Sequence, residues 1–203
     1  MAISKDDRER IASAIRAAEE KTSGEIVCVL ARSSSGSTAL PIFIAAVVAL
    51  ALPWVLVAST ALTVERVLAI QLLAFASLLA FLCTPKVRVA LMPRATRRAV
   101  AHRAAMEQFH IRGIARTEDR CGILIFVSLE ERYARVIVDD GIAARVPQTQ
   151  WQEAINALTA HMRDGRIADG FIAAIQACGK ELAAHFPRNA TSRDELPDKI
   201  FLI

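Results

Sequence analysis

The chain has 203 residues, a formal net charge of +4, 54% hydrophobic and 23% charged residues. That is an ordinary charged globular composition into which an uncharged block has been placed, and without the block enough chain remains for one small domain. Cys28, Cys83, Cys121 and Cys178 are far apart, with no CxxC pair and no histidine at metal-ligand spacing. This excludes a zinc motif and a disulfide framework, and makes the cysteines small buried hydrophobes in a reducing compartment.

In chain order, Ser4 followed by Asp6 and Asp7 is a helix start, since serine caps free N–H groups and the acids complement the positive end of the dipole. Ile11, Ala14, Ile15 and Ala18 follow at helical spacing and Gly24 lies past the stop. The run 26–30, Ile-Val-Cys-Val-Leu, reads as a strand buried on both faces. A serine-rich linker, 33–38, leads out of it.

Residues 39–62 then carry no charge, and after Thr63-Val64-Glu65-Arg66 a second run, 67–83, has only Gln71 and Ser77 as polar interruptions. A helix crossing the hydrocarbon core needs roughly 20 apolar residues. The pair is expected to be a transmembrane hairpin, since the remaining chain is too short to bury two such helices. Nearly forty soluble-looking residues precede it, which argues against a cleaved leader. Ala45 with Ala49, and Ala76 with Ala80, offer small residues four apart for close packing. Pro53 is expected to kink the first span, and Trp54 to mark an interface.

Basic residues follow the second run: Lys86, Arg88, Arg94, Arg97, Arg98 and Arg103, against one arginine beside a glutamate between the runs. By the positive-inside rule both flanks are cytoplasmic and the connection lies outside. This predicts an integral protein of the cytoplasmic (inner) membrane with two spans and both termini in the cytoplasm. The six basic residues suit anionic lipid, each contributing on the order of 1 kcal/mol near the surface. The same charges also serve as a topology signal. Nucleic acid is disfavoured because no aromatic residue interleaves the basic ones.

Pro93 opens a predicted amphipathic helix to about 110, with Val100, Ala104 and Phe109 on one side and Arg94, Arg97, Arg98 and His102 on another. Residues 121–129 and 133–138 read as strands joined through Glu130-Glu131-Arg132 in a hairpin. Two helices follow, marked by Trp151, Ile155, Leu158 and Met162, and by Ile167, Phe171, Ile175, Cys178, Leu182 and Phe186, with Asp164-Gly165 between them. The end, Ile200-Phe201-Leu202-Ile203, suits an edge strand or a contact with a partner.

A strand, a crossover and a second buried strand imply a right-handed parallel pair, to which the hairpin adds an antiparallel third strand. The expected fold class is α/β: a small mixed sheet flanked by helices and interrupted by the hairpin. The expected organisation is a first half-domain at 1–38, the hairpin at 39–84, the second half-domain at 85–187 and a tail at 188–203. The turn 130–132 is expected to face the bilayer.

If the hairpin turns near Glu130-Glu131, Cys121 lies opposite Asp140, and Glu118 and Asp119 approach Asp139 and Asp140, with Glu25 at the same end. Hard cations take several oxygen ligands, so these four carboxylates are a candidate Mg²⁺ or Ca²⁺ site. Neutralisation by Arg116 and Arg120 in a solvated loop is the alternative. His102, His110, His161 and His185 have no Ser or Asp partner by spacing, and there is neither a phosphate-cradling glycine loop nor a Cys-x5-Arg signature.

Three segments carry a resemblance. Asp119-Arg120-Cys121-Gly122 and the apolar run after it resemble the TPM-domain strand that usually opens Asn-Asn-Gly. Arg135-Val136-Ile137-Val138-Asp139-Asp140-Gly141-Ile142 is similar to the next strand and its glycine turn, and 162–171, with glycines five apart, to the joint between the last two helices. The likeness covers residues 4–186 apart from the membrane insert. It implies a TPM-like α/β/α fold. It also implies two kinds of activity: acid phosphatase, as reported for a thylakoid-lumen member, and modulation of a partner membrane protein, as for an animal member acting on acetylcholine receptors. Bound calcium is associated with the domain. Many members carry a signal peptide and work outside the cytoplasm, whereas this chain has a spanning hairpin. The residues thus leave two readings: an accessory or interaction module anchored in the bilayer, with another membrane or cytoplasmic protein as partner, and a metal-dependent acid phosphatase.

Overall fold

The computed structural model describes residues 3–34, 38–117, 120–189 and 195–203, with the side chains of Pro85 and Lys86 left out. The chain forms two compact units, one of residues 1–34 and 100–203 and one of residues 35–99.

The first unit is built on a four-stranded sheet. Helix α1 (Lys5–Glu19) is capped by Ser4, whose Oγ accepts from Asp7 N at 3.0 Å, as the sequence predicts. Strand β1 (Glu25–Ala31) pairs in parallel with β2 (Gly122–Ser128), from Glu25 opposite Gly122 to Ala31 opposite Ser128. Strand β3 (Tyr133–Val138) returns antiparallel to β2, with Ile123 opposite Val138. The C-terminal residues form β4 (Ile200–Leu202), parallel to β1 on its free side, so the order is β3-β2-β1-β4. Strands β1 and β2 are buried at every position, which is why both read as unbroken apolar runs.

Alternation along the strands divides the core between two faces. Ile26, Cys28, Ile123 and Ile125 meet α1, α7 (Trp151–Arg163) and α8 (Ile167–His185) through Ile11, Ile15, Leu158, Phe171, Ile175 and Cys178. Val27, Val29, Leu124 and Phe126 meet Ala105 and Phe109 of α5 (Arg94–Ile111). The fold is thus α/β with helices on both faces of a small mixed sheet. On α5 the buried stripe is Ala101, Ala105 and Phe109, one residue out of phase with the expected Val100 and Ala104. Alanine is small enough to sit under the sheet on either side of the stripe, so apolar spacing alone does not fix its phase.

The second unit holds α2 (Ala39–Ser59) and α3 (Val64–Leu82), both long and apolar enough to cross a membrane, then α4 (Pro85–Leu91), a short helix without a periodic signal. Only 17% and 6% of the apolar windows of α2 and α3 are buried, whereas a core helix would be mostly covered. Trp54 is 81% exposed. Pro41, Ala45 and Ala49 are the buried residues of α2, in keeping with the expected small-residue stripe. On α3 the expectation fails: Ala76 and Ala80 are exposed, and Val67 and Leu82 are the buried positions. In an all-apolar helix every face satisfies the spacing test, so it selects none.

Candidate functional site

The two ends of the sheet differ in chemistry. At the N-terminal ends of β1 and β2, a 3₁₀ turn (Ile114–Arg116) leads to Thr117, and Arg120 then adopts a left-handed conformation with φ 51°. On the neighbouring strand Asp139 N donates to Gly122 O at 3.0 Å and Asp139 caps a single turn, α6 (Asp140–Ala143), Oδ1 accepting from Asp140 N at 2.7 Å. A glycine must follow, because a Cβ at Gly141 would lie 2.5 Å from Arg120 O. The close approach of these segments places the Arg120 guanidinium 3.8 Å from Asp139 Oδ1 and 3.6 Å from Asp140 Oδ2.

Of the four candidate metal ligands, the structure therefore brings Asp139 and Asp140 together, while Glu118 and Asp119 lie outside the described residues. Arg120 occupies the neutralising position. Asp139 is only 4% exposed and its Oδ2 is buried without a hydrogen-bond partner among the described residues, whereas Asp140 is 93% exposed. Among the described residues no group of three or more His, Cys, Asp and Glu is placed to hold an ion. Glu25 is at the same sheet end but serves the tail: its carboxylate accepts from Glu195 N at 3.3 Å and Leu196 N at 3.1 Å. A hard cation needs about six to eight oxygens, so Asp139 and Asp140 by themselves are a partial set.

Two further carboxylates are placed in ways the sequence did not signal. Glu19 Oε1 accepts from Ile26 N at 2.6 Å and its carboxyl shares a hydrogen bond with Asp198; burial raises it to about 9. Glu131, at the opposite end of the sheet, is buried and accepts from Ser33 Oγ at 2.9 Å, Ser34 N at 3.0 Å and Ser128 Oγ. Burial pushes its carboxyl up, but these donors outweigh it and the net shift is downward. Glu131 thereby ties the last residues of the first half-chain to the β2–β3 turn, a pairing between residues 97 and 98 apart that no local pattern reveals.

His102 Nδ1 lies 3.2 Å from the Tyr133 hydroxyl and His161 Nδ1 lies 2.9 Å from Ala157 O. Of the six basic residues proposed for lipid contact, Arg97 has its Nε donating to Met92 O at 3.0 Å, Arg88 is half-buried, and Arg94, Arg98 and Arg103 are exposed; the Lys86 side chain lies outside the described residues.

The TPM domain family model matches residues 83–181. Residues 83–181 are a TPM domain. The TPM match covers β2, β3, α7 and most of α8, and so contains Asp139, Asp140 and Arg120. The solved NMR structure of the BA42 protein from the psychrophilic bacterium Bizionia argentinensis is similar in fold, with a TM-score of 0.63 and 21% identity over 100% of this chain and 96% of that one. No curated protein matches the chain.

Proposed function

We propose that this chain is a TPM domain anchored at the cytoplasmic face of the inner membrane by the α2–α3 hairpin, where it acts as an accessory module for another membrane or cytoplasmic protein. The observation that carries this is topological. The two apolar helices are inserted between β1 and β2, adjacent and parallel strands that pair along their whole length. Two spans return the chain to the side it left, as rejoining one sheet demands, and one span would not. The basic residues after α3 favour the cytoplasmic side.

A cysteine at Arg98 in a Cys83→Ser background tests the topology: it is expected to react with a membrane-impermeant maleimide in inverted vesicles and not in intact cells. External labelling would overturn the orientation. Crosslinking in native membranes tests the module, a discrete heteromeric adduct being expected and a purely monomeric chain counting against it.

A second reading, a metal-assisted phosphatase, is favoured by the buried Oδ2 of Asp139, which has no hydrogen-bond partner among the described residues. Asp139 and Asp140, with Glu118 and Asp119, would hold Mg²⁺ or Ca²⁺, which would supply Lewis-acid stabilisation of phosphoryl oxygens. Arg120 would be displaced, or would turn to the phosphate. Millimolar Mg²⁺ or Ca²⁺ should then raise the unfolding midpoint in wild type and not in Asp139→Asn, and the protein should hydrolyse a phosphomonoester. Absence of either effect removes this reading.

A further inference from the structure

At the end of the sheet away from Asp139, a cleft of about 710 Å³ opens between the β2–β3 turn and the α7–α8 connection. Its walls are mostly apolar, with Val127, Leu129, Met162 and Ile167 beside the hydroxyl residues Ser128, Tyr133 and Thr159, and two cations line it: Arg132 from the turn and Arg163 from the last turn of α7. Among the described residues no acidic one lines the cleft. Both arginines are exposed, and neither forms an ion pair among the described residues.

The acids close in sequence are already engaged or turned to another task. Asp164 pairs with Arg166 at 3.1 Å, and Glu131 is saturated by Ser33, Ser34 and Ser128. Glu130 belongs to the same turn but not to the lining. Arg132 holds a left-handed conformation, φ 50°, that a non-glycine residue adopts uncommonly, and Arg163 sits where the negative end of a helix dipole favours a cation.

We propose that this cleft binds an amphiphilic anion, a phosphate or carboxylate group carried on an apolar body. Guanidinium groups present planar, paired donors that match both oxyanions. The volume falls in the range of small-ligand sites, and a largely apolar wall with few polar anchors is their usual make-up. The site is distinct from the Asp139 region and does not depend on either reading above. The ligand has two sources with the same chemistry: a membrane phospholipid, since the chain enters α2 only five residues after Ser34, or a soluble alkyl phosphate or fatty acid.

Native mass spectrometry of the full chain in a neutral detergent separates these, with hexyl phosphate, inorganic phosphate, phosphatidylglycerol and phosphatidylcholine as probes. Saturable binding of hexyl phosphate or phosphatidylglycerol, at least about tenfold tighter than inorganic phosphate or phosphatidylcholine respectively, is expected; whichever binds identifies the source. Arg132→Gln with Arg163→Gln should weaken it at least about tenfold, since hydrogen bonds to charged groups dominate such sites. Ala134→Trp, which fills the cleft without touching a charge, should do the same, and an unchanged unfolding midpoint would show that both variants are folded. Equal binding by the variants, equal affinity for inorganic phosphate, or no saturable binding of either amphiphile would overturn the proposal.

Discussion

Glu19, in the last turn of α1, shares a hydrogen bond with Asp198, in the segment that leads into β4. Residues far apart in the chain thus meet at the N-terminal end of β1, where Glu25 also accepts from the tail and Arg188 Nη1 donates to Glu19 O at 3.3 Å. Burial holds Glu19 at about 9, against an ordinary 4.5. Between these values the folded chain binds a proton that the unfolded chain lacks, so stability falls as pH rises through that window and the loss is complete above it. Unfolding of the full chain in detergent from pH 5 to 9.5 should show this decline. Glu19→Gln, which keeps an acceptor for Ile26 N and a donor for Asp198, should flatten it; an unchanged slope would place the linkage elsewhere.

Glu131 should behave in the opposite sense. Its folded value is depressed by donors from Ser33, Ser34 and Ser128, so its stabilisation is present above the ordinary carboxyl range and is lost as pH falls through the folded value. Glu131→Ala leaves those buried donors unmatched, at a cost of about 1–3 kcal/mol. Chemical denaturation at pH 7 measures this, and the difference from wild type should shrink toward pH 3.

Gly141→Ala tests the contact between the two segments at the Asp139 end. A Cβ there meets Arg120 O at 2.5 Å, and because backbone must give way the expected destabilisation is about 1–3 kcal/mol. It should also move Arg120 away from Asp139 and Asp140, so any cation response of the domain should change with it.

Truncation after Asp198 removes β4, whose Ile200 is buried, and the following Ile203, which exchanges hydrogen bonds with Leu30 O at 3.0 Å and Arg32 N at 2.9 Å. Loss of Ile200 burial alone costs about 1.5–3 kcal/mol. The bare edge of β1 offers unpaired backbone groups to other chains, so the truncated protein should self-associate in size-exclusion chromatography where the full chain does not.

Thiol labelling checks the core. Cys28 and Cys178 are fully buried, burial holding Cys28 well above its usual range and Cys178 at about 12. Both should stay unmodified by maleimide at pH 8 in the folded chain and react in denaturant. Prompt labelling would mean that the face of the sheet covered by α1, α7 and α8 opens readily.

Elements whose burial is dictated locally were legible in the sequence. The runs 26–30 and 133–138, the Ser4 cap and the stripes of α7 and α8 each declare their structure through spacing or a cap, and the antiparallel pairing of β2 with β3 follows from a hairpin turn alone. The candidate site was legible in part. Asp139 and Asp140 could be placed by register, but the position of Arg120 depends on a left-handed residue and on the room left by Gly141, which are properties of two segments packed together.

The sequence by itself determined that two apolar helices divide the chain, that the strands on either side of them are buried on both faces, and that Asp139 and Asp140 follow the end of β3. Period, length and charge are local quantities, and they suffice for this. Only the tertiary structure decided that β4 closes the edge of β1, that Glu19 is buried beside Asp198, that Glu131 joins the two halves of the domain, and that Arg132 and Arg163 flank a common cleft. Each of these depends on which distant groups the fold desolvates together, and a buried carboxyl or an unpaired cation acquires its chemistry only from that company.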